Sequence, residues 1–248
     1  NFGSIQDARG VLWLKGTRMR NAGSLSVAGG TMWIDQGASI DNQGVIAAYG
    51  RPIEIGRGTS ATVKGGVIEG SGTGMLHNQG TVTLLQPLTL NHTGADHTNS
   101  GTIDATAADW TLTQGGTTPS FTNTGTITIG SGRTWTINNG TLNQAGGSIG
   151  GAGTLSLQSV TANFTTNFTN ATTVLTVNNS TLNGPGTITN ATGKTLSLRY
   201  STIGANSALI NQGLLLLNGS VVVDGPLTTN PSTTIRLEGD GTSGFATL

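Results

Sequence analysis

The sequence contains no cysteine and has few charged or aromatic residues. Without cysteine the chain can form no disulfide, no thiolate zinc site and no thiol nucleophile. Charged residues make up 9% of the 248 residues and aromatic residues 4%, whereas a soluble globular domain usually has about 25% charged residues. Disordered chains usually combine polarity with a high net charge. The net charge here is zero, which favours a folded chain.

The charge and hydropathy patterns also exclude classes of partner. A net charge of zero provides no general attraction for nucleic acid or for an anionic membrane surface. No stretch approaches the roughly 20 consecutive apolar residues that a membrane-spanning helix needs. We therefore expect neither nucleic-acid binding nor membrane insertion.

Threonine, glycine and asparagine are abundant instead, with 43, 40 and 21 copies. One short unit recurs, in which an apolar residue is followed by a spacer, Asn, a second spacer and Gly. The Asn and Gly residues of its copies are Asn21 and Gly23, Asn42 and Gly44, Asn78 and Gly80, Asn99 and Gly101, Asn123 and Gly125, and Asn211 and Gly213.

Alternating segments follow these glycines. After Gly125, for example, Ile127 and Ile129 alternate with threonines, which is the period of a strand with one buried and one solvated face. Threonine suits the solvated positions because its branched Cβ favours an extended backbone. Asn and Gly both tolerate the left-handed conformation that a tight turn often needs. We therefore predict that the repeated Asn and Gly residues lie at corners between strands.

The spacing of the repeats predicts stacked coils. Gly23 and Gly44 are separated by the same interval as Gly80 and Gly101, and this interval is long enough for three short strands and their corners. Later intervals between the marker glycines are wider, which predicts loop insertions or extra strands. The segments 12–14, 32–34 and 53–55 recur at nearly the same short interval, as successive strands of one face should.

A single coil cannot bury its own apolar stripe, so the coils must stack. We predict an all-β fold, a parallel β-solenoid of roughly ten coils with a right-handed turn, over residues 1–248 as one segment. Apolar ladders and Asn ladders are expected inside, with Trp110 and Trp135 in the core. Because the chain starts at Asn1 without an initiator Met, we expect it to be an excised part of a longer protein.

The units Asn-x-Gly-Thr-Ile and runs such as Arg133-Thr-Trp-Thr-Ile-Asn-Asn-Gly-Thr-Leu142 resemble the repeats of large secreted bacterial β-helix proteins. That class includes filamentous-haemagglutinin-like and autotransporter-passenger adhesins. The resemblance is clearest over residues 78–217. It implies an extracellular or cell-surface protein, adhesive or filament-forming, whose partners are copies of itself, adjoining solenoid segments, or surface glycans and other cell-surface polymers.

An enzyme is the main alternative, because β-helix folds also include polysaccharide lyases and hydrolases. Glycoside hydrolysis needs two carboxyl groups at a fixed separation. The eleven acidic residues are scattered, and Glu238 and Asp240 form the only close pair of interest. We therefore predict no catalytic residue and no cofactor.

The three histidines, His77, His92 and His97, lie close together in the sequence beside Asp96. A metal site needs three or four such groups to converge. His97 occupies the apolar position of the repeat, His77 a spacer and His92 an expected loop, so we predict no metal site.

Two further features point to surfaces. Trp13 and Trp33 each stand between two apolar residues and recur at the interval of one coil, which predicts outward side chains on adjacent coils and a possible interaction surface. Thr-x-Thr triplets suggest ice binding by a flat array of hydroxyl groups. They start at residues 81, 111, 126, 134 and 187, which does not match one triplet per coil on one face. Ordinary outward strand positions are the simpler interpretation.

Overall fold

The chain folds into a stack of coils. The computed structural model describes residues 76–239 without a break and, before them, the segments 4–7, 12–16, 18–21, 23–27, 32–35, 39–42, 45–49, 53–55, 60–64 and 67–71. All regular structure in these residues is β-strand, and none of it is helix.

In chain order, the strands before residue 76 are β1 (Ser4–Asp7), β2 (Leu12–Lys15), β3 (Arg18–Asn21), β4 (Ser24–Val27), β5 (Met32–Asp35), β6 (Ser39–Asn42), β7 (Val45–Tyr49), β8 (Ile53–Ile55), β9 (Ser60–Lys64) and β10 (Val67–Ser71). The strands that follow are β11 (Leu76–Asn78), β12 (Thr81–Gln86), β13 (Leu88–Thr93), β14 (Asp96–Asn99), β15 (Thr102–Ala105), β16 (Trp110–Gly115), β17 (Ser120–Asn123), β18 (Thr126–Ile129), β19 (Thr134–Asn138), β20 (Thr141–Gln144), β21 (Ser148–Gly150), β22 (Thr154–Gln158), β23 (Thr161–Phe164), β24 (Phe168–Thr169), β25 (Val174–Asn178), β26 (Thr181–Asn183), β27 (Thr187–Asn190), β28 (Thr195–Arg199), β29 (Thr202–Ile203), β30 (Ala208–Asn211), β31 (Leu214–Asn218), β32 (Val222–Val223), β33 (Leu227–Thr229) and β34 (Thr234–Glu238).

With one break, between β21 and β24, each strand pairs in parallel with the strand three places further along the chain, so three strands form one coil. The 24 strands from β11 to β34 make eight coils, and the described strands before them follow the same order. The prediction of an all-β, parallel β-solenoid is confirmed.

The stack has three faces. Face A is a 12-stranded sheet that runs from β1 to β34, and face B is an 11-stranded sheet that runs from β2 to β32. Face C is divided into a 7-stranded sheet ending at β21 and a 4-stranded sheet starting at β24. We name the corners A/B, B/C and C/A in the order in which the chain passes them.

The period-two pattern of the sequence sets which side chains point inward. On face A, Leu112 pairs in register with Ile137, and both are fully buried. The neighbouring pair, Thr111 and Thr136, is only partly buried and faces outward. Because a shift of one residue would turn every apolar side chain to solvent, this pattern fixes the register of each coil on the next.

The centre of the core is aromatic. The rings of Trp110 and Trp135 from face A are stacked 4.6 Å apart at 3°. Both rings meet Phe121 of face B edge-on, with centroids 5.5 Å away. All three side chains are at most 1% exposed, so the predicted core position of the two tryptophans is confirmed.

Asparagine ladders also run inside the stack, as predicted. The Nδ2 of Asn78 donates to Oδ1 of Asn99 at 2.7 Å, and Nδ2 of Asn99 donates to Oδ1 of Asn123 at 2.8 Å. The Nδ2 of Asn123 then donates to Oε1 of Gln144 at 2.9 Å. A buried amide with such partners stabilises the fold, and one without them destabilises it.

The ladder does not keep to one corner, which explains the uneven repeat intervals. Asn21 and Asn42 pair in register at the C/A corner, and the ladder that starts at Asn78 lies at the B/C corner. A third ladder, Asn170–Asn190–Asn211, returns to the C/A corner with two bonds of 2.7 Å.

Phe164 follows Gln144 in register, and its ring packs 5.3 Å from that of Phe168 where the second ladder ends and the third begins. The coils themselves differ less in length than the intervals between marker glycines do, as the register of successive strands shows. The prediction that the wide intervals reflect loop insertions or extra strands holds for Gly101 and Gly125, which lie at the same corner of a longer coil. It is wrong for the wider intervals, in which the marker residues change corner.

The reason predicted for the corner glycines is also wrong. Gly101 and Gly125 are absent from the residues with positive φ. A methyl group on Gly101 would overlap the carbonyl oxygen of Gly80, and one on Gly125 would overlap that of Gly101. Glycine is needed there because successive backbones touch. Gly44 lies outside the described residues.

The non-glycine residues with positive φ lie at the A/B corner instead. Asn139, Ser159, Asn179 and Tyr200 have φ between 47° and 64°, and Gly219 follows with φ 67°. Each comes directly after a strand of face A, so they form one column along the stack.

Candidate binding surfaces

Trp13 and Trp33 lie side by side on the outer surface of face B. The two residues are register partners on β2 and β5 and are 50% and 43% exposed. Their rings meet edge-on with centroids 5.7 Å apart at 78°. The Nζ of Lys15 lies 5.3 Å from the centroid of the Trp13 ring. The prediction that both side chains face outward is confirmed, and their role as an interaction surface stays a prediction.

The column that contains this pair continues along face B with polar residues. Trp33 pairs with Glu54, which pairs with His77, and the column proceeds through threonines to three asparagines. Those asparagines form an outward ladder: Asn163 donates to Asn143 at 2.8 Å, and Asn183 donates to Asn163 at 3.0 Å. Face B therefore presents two indole rings at one end and a line of amides further along.

The threonine triplets do not share one face. The triplets at 81 and 126 lie on β12 and β18 of face C, and those at 111 and 134 lie on β16 and β19 of face A. The intervals between triplets in the sequence therefore do not show how the hydroxyl groups are aligned on any one face. On face A, one outward column carries a hydroxyl residue on six successive coils: Thr89, Thr111, Thr136, Ser156, Thr176 and Ser197.

A cleft of about 520 Å³ opens at the A/B corner, across three coils. Its walls are the turn between β16 and β17, the start of β20 and the start of β23. The described residues that line it are all uncharged: Gln114, Gly115, Gly116, Thr118, Pro119, Asn139, Gly140, Thr141, Ser159 and Thr161.

Gln114 is the unusual member of this lining. Its side chain is 1% exposed, and neither Oε1 nor Nε2 has a hydrogen-bond partner among the described residues. Gly140 lies over the amide, because a methyl group there would overlap Oε1 of Gln114. A buried amide without a partner is costly, by about 1–3 kcal/mol.

A second cleft, of about 450 Å³, lies at the C/A corner near the end of the described stack. Lys194 and Arg236 contribute the only charges to its described lining. The guanidinium of Arg236 also forms an exposed ion pair with Glu238 at 2.5 Å. Asp240, the partner considered for Glu238 in the sequence, lies outside the described residues.

The histidines occupy different surroundings. His97 is fully buried, and its Nδ1 accepts a hydrogen bond from the backbone N–H of Leu76 at 3.0 Å. His77 is half-buried, and its Nε2 lies 3.1 Å from the Nε2 of Gln79. His92 belongs to strand β13, so its predicted loop position is wrong. In the part of the chain that the structure describes, no three His, Asp or Glu residues converge as metal ligands would.

The A/B cleft has one signal in the sequence, a long turn. Trp110 and Trp135 are register partners, and the coil between them is the longest in the described stack. Its extra length is the turn Gly115-Gly-Thr-Thr-Pro119, which forms one wall of the cleft.

Searches against protein-family models, curated proteins and solved structures returned no match. No described helix has the length and hydropathy needed to cross a membrane.

Proposed function

We propose that the chain is a non-catalytic rod of an extracellular or cell-surface protein of bacterial type, which spaces or presents binding surfaces. The observation that carries the proposal is the uninterrupted register of face A, in which twelve strands stack in parallel. Strand spacing of about 4.7–4.9 Å makes the eight coils of residues 76–239 roughly 38 Å long.

The mechanical argument rests on the direction of the hydrogen bonds. In a β-solenoid the inter-strand bonds run along the stack, so each coil is tied to the next by its paired strands and by the amide ladders. Asn99, for instance, is bonded to the coils on both sides. Such a rod resists local opening because its backbone groups are paired and its core is continuous.

The adhesive part of the proposal rests on Trp13 and Trp33. Two exposed indole rings in contact are unusual on a soluble surface and typically mark an interface. A second copy of the chain, an adjoining solenoid segment and a surface glycan are the partner classes that fit a flat face with paired aromatic rings.

Electron microscopy of the native material tests the rod. Regular filaments or surface-attached rods are expected, and globular particles of similar mass would contradict the proposal. The partner is then sought with a Trp13→Ser/Trp33→Ser variant in filament assembly and in cell or glycan binding. Tyr200→Ser is the matched control, because Tyr200 is an exposed aromatic residue at a different place on the stack, the A/B corner. If the double variant assembles and binds normally, the pair is not the contact.

A second candidate is ice binding, favoured by the outward hydroxyl column on face A. The flanking outward column is mixed. Thr134 and Thr154 are followed by Val174, and further along Thr195 pairs with Leu214. We rank it second because this mixture breaks the array. Thermal hysteresis at millimolar protein would overturn that order.

A further inference from the structure

We propose that the outward pair Trp13 and Trp33, together with Lys15, binds one pyranose unit of a soluble, neutral glycan. The inference rests on the adhesive part of the proposed function and deepens it, because it names one partner class among those that fit the pair. It can fail while the rod survives, since microscopy reports the rod and sugar titration reports the pair.

The size of the aromatic patch favours a small partner. A tryptophan side chain offers about 150–250 Å² for contact, so two that are 50% and 43% exposed present roughly 200 Å² together. A stable protein–protein interface takes about 800 Å² from each partner. The patch is much smaller than such an interface needs, but it is large enough to cover one face of a sugar ring.

The positions next to the pair are charged. Lys15 pairs in register with Asp35, and Glu54 follows Trp33 in the same column. The centre of a protein interface is depleted of charged residues, whereas small-molecule sites combine apolar contacts with a few polar groups. Because both signs of charge occur beside the pair, neither an anionic nor a cationic sugar gains a general attraction. A neutral sugar fits these surroundings best.

The geometry of the two rings favours a single sugar unit. The ring planes are inclined at 78°, with centroids 5.7 Å apart, so the edge of one indole meets the face of the other. The C–H groups on one side of a pyranose can pack on an indole face, and the inclined second ring then contacts the rim of the sugar. The surface of a crystalline polysaccharide is flat and needs coplanar rings instead.

Lys15 supplies polar contacts at the same place. Its Nζ lies 5.3 Å from the centroid of the Trp13 ring, and an ammonium group has three N–H donors. These donors can bond to the hydroxyl oxygens of a sugar held beside the ring. The aromatic pair therefore provides the stacking contact, and Lys15 orients the bound sugar.

The test uses the four tryptophan indole N–H signals of the ¹⁵N-labelled full-length chain, titrated with methyl pyranosides of glucose, galactose, mannose, fucose and N-acetylglucosamine. At least one glycoside is expected to shift the signals of Trp13 and Trp33. The signals of Trp110 and Trp135 should stay in place, because these side chains are buried. The proposal is overturned if no neutral glycoside shifts the two outward signals, or if D-galacturonate binds as tightly as the neutral glycosides.

Variants test each part of the site, with affinity measured from the backbone N–H signals. Trp13→Thr/Trp33→Thr keeps a strand-forming residue, as at Thr98 of the same column, and should lower affinity by at least about tenfold. Lys15→Met should lower it by about two- to tenfold, and an unchanged affinity would contradict the role of Lys15. Tyr200→Ser is the matched control and should have no effect. Unchanged affinity in the double variant would show that binding occurs elsewhere and would overturn the proposal.

Other occupants of the pair give different results. If a second copy covers it, raising the chain concentration shifts the Trp13 and Trp33 signals without sugar, and added glycosides have no effect. If a crystalline polysaccharide covers it, the chain sediments with microcrystalline cellulose or chitin, and soluble glycosides leave the signals unchanged. Either result overturns the proposal. Rods or filaments in the microscope without any response to sugar would retain the rod and overturn this inference alone.

Discussion

Replacing Asn99 by Ala should destabilise the rod far more than the same change on its surface. Asn99 is fully buried and bonded on both sides, to Asn78 at 2.7 Å and to Asn123 at 2.8 Å. The change removes both bonds and leaves the Oδ1 of Asn123 buried without this donor. A net loss of about 1 kcal/mol per bond and about 1–3 kcal/mol for a stranded buried group overlap in part, so we expect a loss of about 2–4 kcal/mol.

Asn143→Ala is the matched control. Asn143 also belongs to a ladder, in which it accepts from Asn163 at 2.8 Å and donates to Thr122 at 3.4 Å. This ladder is on the outer surface of face B and partly exposed, so water can replace the lost bonds. The free energy of unfolding should change by no more than about 0.5 kcal/mol.

Urea unfolding followed by far-UV circular dichroism and by tryptophan fluorescence measures both variants. Trp110 and Trp135 report the affected region, because they pack against Phe121 on the strand that contains Asn123. The dependence of the unfolding free energy on urea concentration should be the same in the wild type and both variants, because only then does a shift in midpoint report a change in stability. Equal losses in the two variants, or a loss below about 0.5 kcal/mol for Asn99→Ala, would refute the reasoning about burial.

Three further predictions concern backbone contact, exposure and charge. Gly101→Ala should unfold the chain or lower its melting temperature sharply, because the new methyl group would overlap the Gly80 carbonyl oxygen. Gly150→Ala should be close to neutral, because a methyl group there would have nothing within 4 Å. Similar melting curves for the two variants would contradict the close stacking. Acrylamide should quench only part of the tryptophan fluorescence, because Trp13 and Trp33 are 50% and 43% exposed while Trp110 and Trp135 are 1% and 0% exposed. The fluorescence of a Trp13→Phe/Trp33→Phe variant should be almost unquenched. Strong quenching of that variant would show an open core. Arg236→Ala should cost less than about 1 kcal/mol in thermal or urea unfolding, because its ion pair with Glu238 is exposed; a larger loss would mean that the pair organises the end of the stack.

The sequence predicted the fold because its signal is local and repeated. Alternation of apolar residues and threonine around Ile127 and Ile129 specifies both the strand and its buried face. The outward position of Trp13 and Trp33 follows from the same alternation, since their apolar neighbours must face the core. These features depend on a few consecutive residues, and each coil provides them again.

The corners were harder to predict, because one Asn-x-Gly unit looks the same at any corner. Coil length varies along the stack, from the short coil between Leu209 and Leu227 to the long one between Trp110 and Trp135. Counting from one marker to the next therefore does not reveal that the markers change corner. Glycine has a similar ambiguity. Gly101 is required by close backbone contact and Gly219 by its left-handed φ, and a sequence shows the same letter for both.

The burial of Gln114 behind the cleft could not be predicted from local pattern. Gln114 fills the space that Gly140, on the next coil, leaves free because it has no side chain. The two residues meet only when the register of successive coils is known, and that register passes through the longest described coil. Burial that depends on an absent side chain one coil away has no local signature.

Distance measurement along one outward column tests the central claim, the in-register stack, most directly. The chain has no cysteine, so spin labels can be placed on Asp96 and on successive members of its face B column: Thr161, Thr181, Thr202 and Val222. Double electron–electron resonance should give distances that rise by about 4.7–4.9 Å per coil, from roughly 14 Å for Thr161 to roughly 29 Å for Val222. Distances that fail to rise in equal steps would contradict the stack.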